Sequence, residues 1–356
     1  MEVMEQFLKE LTSLNGPCGH EHAVARFIVD KVKDWVDDWK VDGLGNVIVS
    51  VKGKKPGLKV AVSAHMDEVG FIVKKIEANG LIKFEKLGGH DDRLLLARKV
   101  VIQTQDNGLK YGVIGTISAH MVKFDDPNKV RNHRQLYIDA GVDSAQEVRA
   151  LGIEVGDYIT YETDMQPFGN QRLIGKSFDD RAGCAVLYQA LKDIDREKLE
   201  GTVYGIFSVQ EEVGLRGAKT AAYQLDPDVS LAIDTTAVSD TPEDMMDHSL
   251  ALGAGPGIKV MDFSLIASVH VRKKLVEVAK RSGIPYQLEV FPGIGTDAGE
   301  MHLSKEGVPT GVLSIPSRYA HSAVEVIDLE DLKNTKKLLQ EFLESSKTKD
   351  DFNFLK

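Results

Sequence analysis

Three apolar runs of this sequence lead into histidine or acidic residues. The run "LKVAVSAH" ends at His65 with Asp67 two residues on, "TVYGIFSVQ" precedes Glu211 and Glu212, and "VSLAI" precedes Asp234. Short, nearly continuous apolar runs are typical of buried strands in a parallel sheet. Ligands of open α/β sheets bind outside the carboxyl ends of the strands. We therefore expect these polar side chains to converge on one crevice.

Two loops add further candidates. The segment "GKSFDDRAG" contains Asp179 and Asp180 just ahead of a predicted helix beginning near Arg181, and "IPSRYAHSAVEVID" contains His321. Taken singly, each has an ordinary explanation, because aspartate caps helix N-termini and a lone histidine is usually a packing or surface residue. Taken together with the strand-end residues, they form the mixture of imidazoles and carboxylates that binds a pair of divalent metal ions.

The adjacent glutamates indicate how such a site would work. Two metal ions roughly 3.5–4 Å apart polarise a carbonyl and lower the pKa of a shared water, which provides hydroxide near neutral pH. One glutamate can ligate a metal while its neighbour takes the proton from the bridging water. Because neighbouring residues of a regular strand face opposite ways, Glu211 and Glu212 must lie past the strand end, in a bend near Gly214. The alternative is two solvated acids at a strand terminus.

The elements around these residues predict a two-domain α/β protein. The first third alternates helix and strand, and "EHAVARFIVDKVKDW" places four apolar residues on one helical face. From about residue 70 to 165 the pattern changes to short β-rich runs such as "KVVIQTQ", with a hairpin signal at Asn79–Gly80. We predict a discontinuous, mixed-sheet α/β catalytic domain over residues 1–68 and 166–356, with a small β-barrel or sandwich inserted over residues 69–165.

Composition narrows the class of protein. The 356 residues are 42% hydrophobic and 28% charged, which is ordinary for a globular chain. A net charge of −10 argues against a nucleic-acid partner. The stretch "MEVMEQFLKELTSL" lacks the features of a signal peptide, and no apolar run predicts a membrane span. Cys18 and Cys184 form no C-x-x-C motif, so no disulfide framework is predicted and a reducing cytoplasm is the expected location.

Six motifs, in order, make the chain resemble the tetrahedral (TET-type) dinuclear-metal aminopeptidases, a family that includes glutamyl and deblocking aminopeptidases. They are "SAHMDEVGF" (63–71), "GKSFDDRAG" (175–183), "QEEVGLRGA" (210–218), "AIDTT" (232–236), "GTDAGEM" (295–301) and "SRYAHS" (317–322). The resemblance covers essentially the whole chain. It implies hydrolysis of the N-terminal residues of peptides with two divalent metal ions per subunit, either zinc or cobalt.

The resemblance also implies a role for each candidate residue. His65 and Asp234 would be terminal ligands of one metal, Glu212 and His321 those of the other, and Asp179 the bridging carboxylate. Asp179 is preferred to Asp180 by alignment to the shared Asp-Asp-basic-x-Gly pattern. Asp67 would orient the imidazole of His65, as metal-binding histidines commonly require. Glu211 would act as general base and then as general acid.

The inserted domain is implied to be a PDZ-like module that shapes assembly and access to the site. His120, in "GVIGTISAHM", falls within it and could stabilise the oxyanion or line the substrate path, with a surface histidine as the alternative. Members of the family often form dodecameric tetrahedral shells with the active sites facing an inner chamber. A homo-oligomer acting on peptides is therefore expected, with no nucleic acid or membrane as partner.

Two other functions are consistent with parts of the sequence. Glycoside hydrolases also use paired carboxylates, and some relatives of this family carry endoglucanase names. Their carboxyl groups stand roughly 5–9.5 Å apart across a sugar, whereas adjacent glutamates with two histidines suit metals better. Aromatic residues for stacking on sugars are also few, at 7% with two tryptophans. A binding or chaperone shell without chemistry is disfavoured, because all five ligand positions and Glu211 are present.

Overall fold

A computed structural model describes residues 2–106, 108–124, 126, 129–242 and 249–355 of the chain. The α-helices within these ranges are α1 (Glu2–Thr12), α2 (His22–Val32), α3 (Ala145–Ala150), α4 (Phe178–Asp193), α5 (Arg216–Leu225), α6 (Val269–Arg281), α7 (Ala298–Met301) and α8 (Leu329–Ser345). Short 3-10 helices cover Asp92–Leu94, Ala119–Phe124, His133–Gln135 and Lys349–Phe352. None of the described helices is both long and apolar enough to cross a bilayer.

The strands of the described residues divide between a large sheet and a barrel. The sheet contains β1 (Asp38–Val41), β2 (Val47–Lys52), β3 (Lys55–His65), β10 (Gln166–Phe168), β11 (Arg172–Gly175), β12 (Glu200–Ser208), β13 (Val229–Ala237), β14 (Gly257–Met261), β15 (Gln287–Val290), β16 (Thr310–Arg318) and β17 (Glu325–Asp328). The barrel contains β4 (Gly70–Ile76), β5 (Ile82–Leu87), β6 (Lys99–Gln103), β7 (Leu109–Ile114), β8 (Ile138–Asp139) and β9 (Tyr158–Tyr161).

The centre of the large sheet is parallel and its margins are antiparallel. The order is β1-β2-β12-β3-β13-β16-β17-β11-β10, with β14 and β15 extending from β16. Strands β12, β3, β13 and β16 run parallel, so their carboxyl ends meet at one edge. All residues of β13 except Ala237 are buried, as expected for a strand covered on both faces. The predicted mixed α/β sheet is confirmed.

Helices cover both faces of this sheet. Helices α1, α2, α4, α6 and α8 contribute to the largest hydrophobic core on one face. Helix α5 packs its small residues Ala218, Ala221 and Ala222 against the other face, beside Met301 of α7. Cys184, within α4, is fully buried, and both cysteines are free. The sheet is therefore held rigidly between two layers, and its strand ends form a fixed platform.

The inserted segment folds as a closed antiparallel barrel in the order β4-β5-β8-β7-β6-β9. Its interior is a separate apolar core that includes Phe71, Phe84 and Ile159. Full burial of such side chains stabilises the barrel by about 1.5–3 kcal/mol each. The predicted inserted β-barrel is confirmed, and its strands all lie between residues 69 and 165. The domain boundaries at 68/69 and 165/166 stay a prediction.

Candidate metal centre

Two of the predicted ligands are brought together by the register of neighbouring strands. His65 is the last residue of β3, and Ser63 pairs with Ala232 of the parallel strand β13. Two residues further along both strands, His65 and Asp234 lie side by side at the sheet edge. The Nε2 atom of His65 is 3.8 Å from an oxygen of Asp234. Both side chains are buried, so the strand-end pattern positions them without any contribution from a flexible loop.

The Asp179–Asp180 segment is an irregular turn that precedes the regular part of α4. Asp179 and Asp180 both have non-helical backbone angles, and Ser177 before them has a left-handed φ of 55°. One oxygen of Asp179 lies 3.1 Å from Nε2 of His65, and its other oxygen lies 3.3 Å from Nε2 of His321. A single carboxylate therefore stands between the two histidines.

Asp180 has a different environment from its neighbour. One of its oxygens accepts a hydrogen bond from the backbone N–H of His65 at 3.2 Å, and the other accepts from the N–H of Gly183 at 2.9 Å. These contacts cap the beginning of the regular helix and hold the end of β3. Both oxygens of Asp180 are used in this way, which leaves Asp179 as the carboxylate that faces both histidines.

A second group of ligands forms on the other side of Asp179. An oxygen of Glu212 lies 3.1 Å from Nε2 of His321. The potential donor atoms therefore form two triads, His65–Asp179–Asp234 and Asp179–Glu212–His321, with all atoms of each triad within 4.8 Å of one another. The two triads share Asp179. The structure thus brings together all five residues for which the sequence predicts a ligand role.

Asp67 holds the glutamate turn as well as the first histidine. Its two carboxylate oxygens accept hydrogen bonds from the N–H groups of Glu211 (3.0 Å) and Glu212 (3.2 Å). The Nδ1 atom of His65 is 3.2 Å from the carbonyl oxygen of Asp67 and 3.5 Å from a carboxylate oxygen. Glu211 and Glu212 lie beyond the end of β12, where Gly214 has a φ of 123° that favours glycine. The bend predicted near Gly214 is present.

The charges at this site favour a cation. Burial alone would lower the pKa of His65, but its hydrogen bonds to Asp179 and Asp234 raise that pKa well above its usual value. Burial likewise raises the pKa of the Glu211 carboxyl well above its usual range, with the nearby acids Asp234 and Glu212 adding to the shift. In the two triads several carboxylates thus face the imidazoles of His65 and His321, and buried charges of this kind are stable when paired with cations or metals.

The donor set passes a simple test of fit for divalent metals. Among the described residues, Oε1 of Glu212 is buried and has no hydrogen-bond partner of good geometry, although it lies close to His321. Imidazole nitrogens and carboxylate oxygens are the donors that zinc and related ions take in proteins. A bound metal cation would accept a lone pair of this buried oxygen and offset the negative charge of the acids. The residues present therefore fit a metal pair.

A cavity of about 750 Å³ opens over the two triads and is lined by Asp179, Glu211, Glu212, Asp234 and His321. The barrel contributes the loop Gly89–Asp91 to one side of this cavity. A Cβ atom at Gly89 would lie only 3.2 Å from Nδ1 of His321, so the loop approaches the imidazole closely. The insert therefore forms part of the site wall as well as a separate domain.

Sequence reasoning missed two residues that shape the site. Glu325 in β17 accepts hydrogen bonds from the N–H of Asp179 (3.0 Å) and the N–H of His321 (3.2 Å), and burial raises its pKa to about 8. His90 lines the cavity, stacks on Phe71 and contacts the Tyr161 hydroxyl at 3.1 Å, and burial lowers its pKa to about 4. The pair Gly88–Gly89 before His90 was the available signal for a close backbone approach.

His120 is not brought to this cavity. Its side chain is exposed, its N–H donates to the hydroxyl of Ser118 at 3.4 Å, and it is not among the residues that line the cavity. Its geometry within one chain offers no contact with the two triads. The substrate or oxyanion role that the sequence suggests for His120 stays a prediction.

Comparison with known proteins gives a consistent result. The model of the M42 glutamyl aminopeptidase family matches residues 45–338. A relative in Acetivibrio thermocellus, which carries an aminopeptidase name, is 40% identical over 96% of this chain and 98% of its own length. The lysyl aminopeptidase of Pyrococcus furiosus is 36% identical over 97% of this chain and 98% of its own length.

Solved structures agree with these relatives. An aminopeptidase from Desulfurococcus kamchatkensis has a TM-score of 0.93 at 41% identity and covers 99% of this chain and 98% of its own. The TET1 peptidase of Pyrococcus horikoshii, described as assembling into a tetrahedron or a large octahedral shell, has a TM-score of 0.85 at 35% identity over 96% and 99% of the two chains. A Thermotoga maritima protein named endoglucanase has a TM-score of 0.77 at 34% identity over 94% and 96%.

Proposed function

Because the chain belongs to the M42 glutamyl aminopeptidase family and is a peptide hydrolase, we propose that it removes N-terminal residues from peptides at a dinuclear metal site centred on Asp179. The observation that carries this proposal is the shared carboxylate: the two oxygens of Asp179 lie 3.1 and 3.3 Å from the two histidines, one in each triad. His65 and Asp234 would hold one ion, and Glu212 and His321 the other.

Zinc or cobalt ions bound there would polarise the scissile carbonyl and lower the pKa of a water molecule. A residue of the chain must then accept the proton that water loses and donate a proton to the departing amine. Glu211 lies in the cavity wall beside Glu212, within the turn that Asp67 fixes through two N–H groups. Its raised pKa suits a group that accepts a proton from water and then returns it.

The proton balance assigns one task to Glu211 in each half of the reaction. As the oxygen of water bonds to the carbonyl carbon, the Glu211 carboxylate takes the proton that water releases. As the carbon–nitrogen bond breaks, the same carboxyl group gives that proton to the departing amine. Asp67 keeps the carboxyl group aimed into the cavity because it holds the backbone N–H of Glu211 at 3.0 Å.

The substitution Glu211→Gln tests this assignment. We expect kcat on an aminoacyl-p-nitroanilide to fall by about 10²–10⁴-fold, because an amide cannot transfer the proton. Bound metal, measured by mass spectrometry of the dialysed protein, should remain near the wild-type level because Glu211 is not a ligand. Glu197→Gln, at an exposed glutamate, is the matched control and should keep full activity. Full activity in the Glu211→Gln variant would overturn the role of this residue.

The name of one structural neighbour leaves a glycoside hydrolase as the weaker alternative. The arrangement of acids around two histidines favours the metal-dependent reaction instead. The same protein assayed after complete metal removal separates the two functions. Peptidase activity should disappear and return when zinc or cobalt is added. Hydrolysis of a β-glucan that persists without metal would support the glycoside hydrolase.

A further inference from the structure

The cavity has two chemically different sides. The side next to His321 is formed by the barrel loop and carries the polar residues His90 and Asp91. The other side begins beyond Asp234. Thr236 lies two residues further along β13 and points to the same face of the sheet, about 6–7 Å from Asp234. A substrate held at the His65–Asp234 end would place its nearest side chain against this second side.

The second side is an apolar wall formed by Phe263, Phe291 and Ile294. Phe263 is 71% exposed and lines the cavity, so its ring is accessible to a bound ligand. The backbone of the loop 293–295 runs against both phenyl rings: a Cβ atom at Gly295 would lie 2.7 Å from the ring of Phe263, and one at Gly293 would lie 3.3 Å from the ring of Phe291. The wall therefore has a defined shape.

The charged groups behind this wall are buried and contact one another. Lys259 is fully buried, and its Nζ lies 3.0 Å from Glu289 and 3.6 Å from Asp262. Thr236, which lines the cavity, donates its hydroxyl hydrogen to Glu289 at 2.7 Å. Glu289 is thus held by Lys259 and Thr236, and Lys259 by two carboxylates. Lys259, Glu289 and Asp262 are all buried and none of them lines the cavity, so they are not positioned to pair with a charged side chain of a substrate.

A charged N-terminal side chain would find no counter-charge at this wall. Among the described residues that line the cavity, none is lysine or arginine, so a glutamyl side chain would lack a cation. A lysyl ammonium would meet no carboxylate at this wall, and phenyl rings and one hydroxyl oxygen compensate a buried charge less well than an ion pair does. Burial of an unpaired charge is strongly unfavourable, whereas an apolar side chain gains from the same contact.

On the basis of the proposed aminopeptidase function, we infer that this chain prefers peptides that begin with a large apolar residue, such as leucine, methionine or phenylalanine. Thr236, Phe263, Phe291 and Ile294 are the residues that determine this specificity. The preference differs from the glutamyl and lysyl specificities in the names of the matching family and of one relative. The inferred preference results from the apolar wall and from the burial of the Lys259–Glu289 pair behind it.

A panel of aminoacyl-p-nitroanilides tests this inference with the zinc- or cobalt-loaded wild-type protein. We expect kcat/KM for the leucyl, methionyl and phenylalanyl substrates to exceed that for the glutamyl and lysyl substrates by about 100-fold or more, since an unpaired charge is excluded. Highest activity on the glutamyl or lysyl substrate would overturn the inference and leave the aminopeptidase function intact. No hydrolysis of any substrate would overturn the proposed function itself.

Two substitutions in the wall sharpen the test. Phe291→Ala should lower the ratio of leucyl to alanyl hydrolysis by about tenfold, because the leucyl side chain loses its contact. Phe354→Ala, which removes a ring at a 93% exposed position near the C-terminus, is the matched control and should keep the wild-type ratio. Ile294→Lys adds a cation to the wall and should raise the ratio of glutamyl to leucyl hydrolysis by about tenfold. Unchanged ratios in both wall variants would overturn the assignment of the wall.

Discussion

At the scale of single residues, the site depends on acids that orient ligands as much as on the ligands. Asp67 holds the N–H groups of Glu211 and Glu212, and Glu325 holds those of Asp179 and His321. Asp67 uses both oxygens on one turn that lies far from it in sequence, and Glu325 uses its two oxygens on two different chain segments. These hydrogen bonds fix the relative positions of segments that lie far apart in sequence. Residues that surround the ligands commonly orient a metal site in this way.

Glu325→Gln tests the contribution of the second of these acids. An amide has one acceptor oxygen, so one buried N–H of Asp179 or His321 loses its partner, at a cost of about 1–3 kcal/mol in unfolding free energy. We expect affinity for the ion at the Glu212–His321 side to weaken by about 10–100-fold, measured by competition with a chromogenic chelator.

The exposed Glu306 provides the control for this measurement, because Glu306→Gln changes the same charge without a contact to the site. The position of the Glu325 carboxylate also predicts an asymmetric effect. Affinity at the His65–Asp234 side should change less than affinity at the other side. Metal binding that matches wild type in the Glu325→Gln variant would show that the two N–H contacts do not determine ligand geometry.

The ligands themselves could be predicted from sequence because each follows an interpretable local pattern. His65 and Asp234 end apolar strands, and the parallel arrangement of those strands places them at one edge. Glu325 and His90 follow no such pattern. Glu325 accepts one of its hydrogen bonds from the distant backbone N–H of Asp179, and His90 reaches the cavity because the barrel folds back toward the sheet. Contacts of this kind depend on tertiary packing that local periodicity does not encode.

At the scale of elements, a buried charge cluster joins the N-terminal segment to the turn before α4. Glu68 lies three residues beyond the end of β3, and its carboxylate lies 2.7 Å from Nζ of Lys176 and 3.7 Å from Arg181. It also accepts a hydrogen bond from the N–H of Gly16 at 3.0 Å. Burial lowers the pKa of Lys176, with Glu68 opposing that shift. One acid therefore compensates two buried cations beside the site.

Glu68→Gln should destabilise the fold strongly. Removing the charge leaves Lys176 and Arg181 buried without their partner, and breaking a buried ion pair in this way typically costs about 3–5 kcal/mol. Urea unfolding of the variant measures this loss. Glu77→Gln, in the surface pair with Lys75, serves as the control and should change stability by less than about 1 kcal/mol. A loss as small as this at Glu68 would mean that the cluster is screened by water.

The order and class of the elements could largely be predicted from the sequence, whereas the closure of the inserted strands into a barrel could not. Short β-rich runs with a hairpin signal at Asn79–Gly80 predict the inserted β domain, and the structure places β4 and β5 on either side of that turn. Pairing of β9 with β4 closes the barrel, and it joins residues far apart in sequence. The side branch of β14 and β15 on β16 likewise depends on long-range contacts that a sequence pattern leaves open.

At the scale of the whole molecule, the barrel carries an apolar outer face. Leu109, Tyr111 and Val113 of β7 are 50%, 56% and 45% exposed, so the outward positions of this strand are apolar. Contiguous exposed apolar residues mark interaction surfaces. A relative of the chain is described as assembling into a tetrahedron or a large octahedral shell. The sequence predicts a homo-oligomer, and the exposed β7 face is the apolar surface at which that prediction can be tested.

Tyr111→Glu tests the role of this face in assembly. A buried unpaired carboxylate at an interface is strongly unfavourable, so the particle mass measured by light scattering after size exclusion should fall. Gln105→Glu adds the same charge at an exposed polar position of the same barrel and should leave the mass unchanged. A large particle that persists in the Tyr111→Glu variant, or a wild-type monomer, would contradict assembly of this chain through the β7 face.

The position of the insert in the chain also determines the order in which the residues of the site are synthesised. The chain leaves the large sheet directly after His65, and Asp179 follows 114 residues later. At roughly 5–20 residues per second, a ribosome releases the first imidazole about 6–23 s before the shared carboxylate. Among the described residues the barrel strands pair with one another, and the last of them, β9, ends at Tyr161, 18 residues before Asp179, so every strand of the barrel is synthesised within that interval. The part of the cavity wall that the barrel provides, the loop Gly89–Asp91, can thus form before the remaining acids of the two triads have been synthesised.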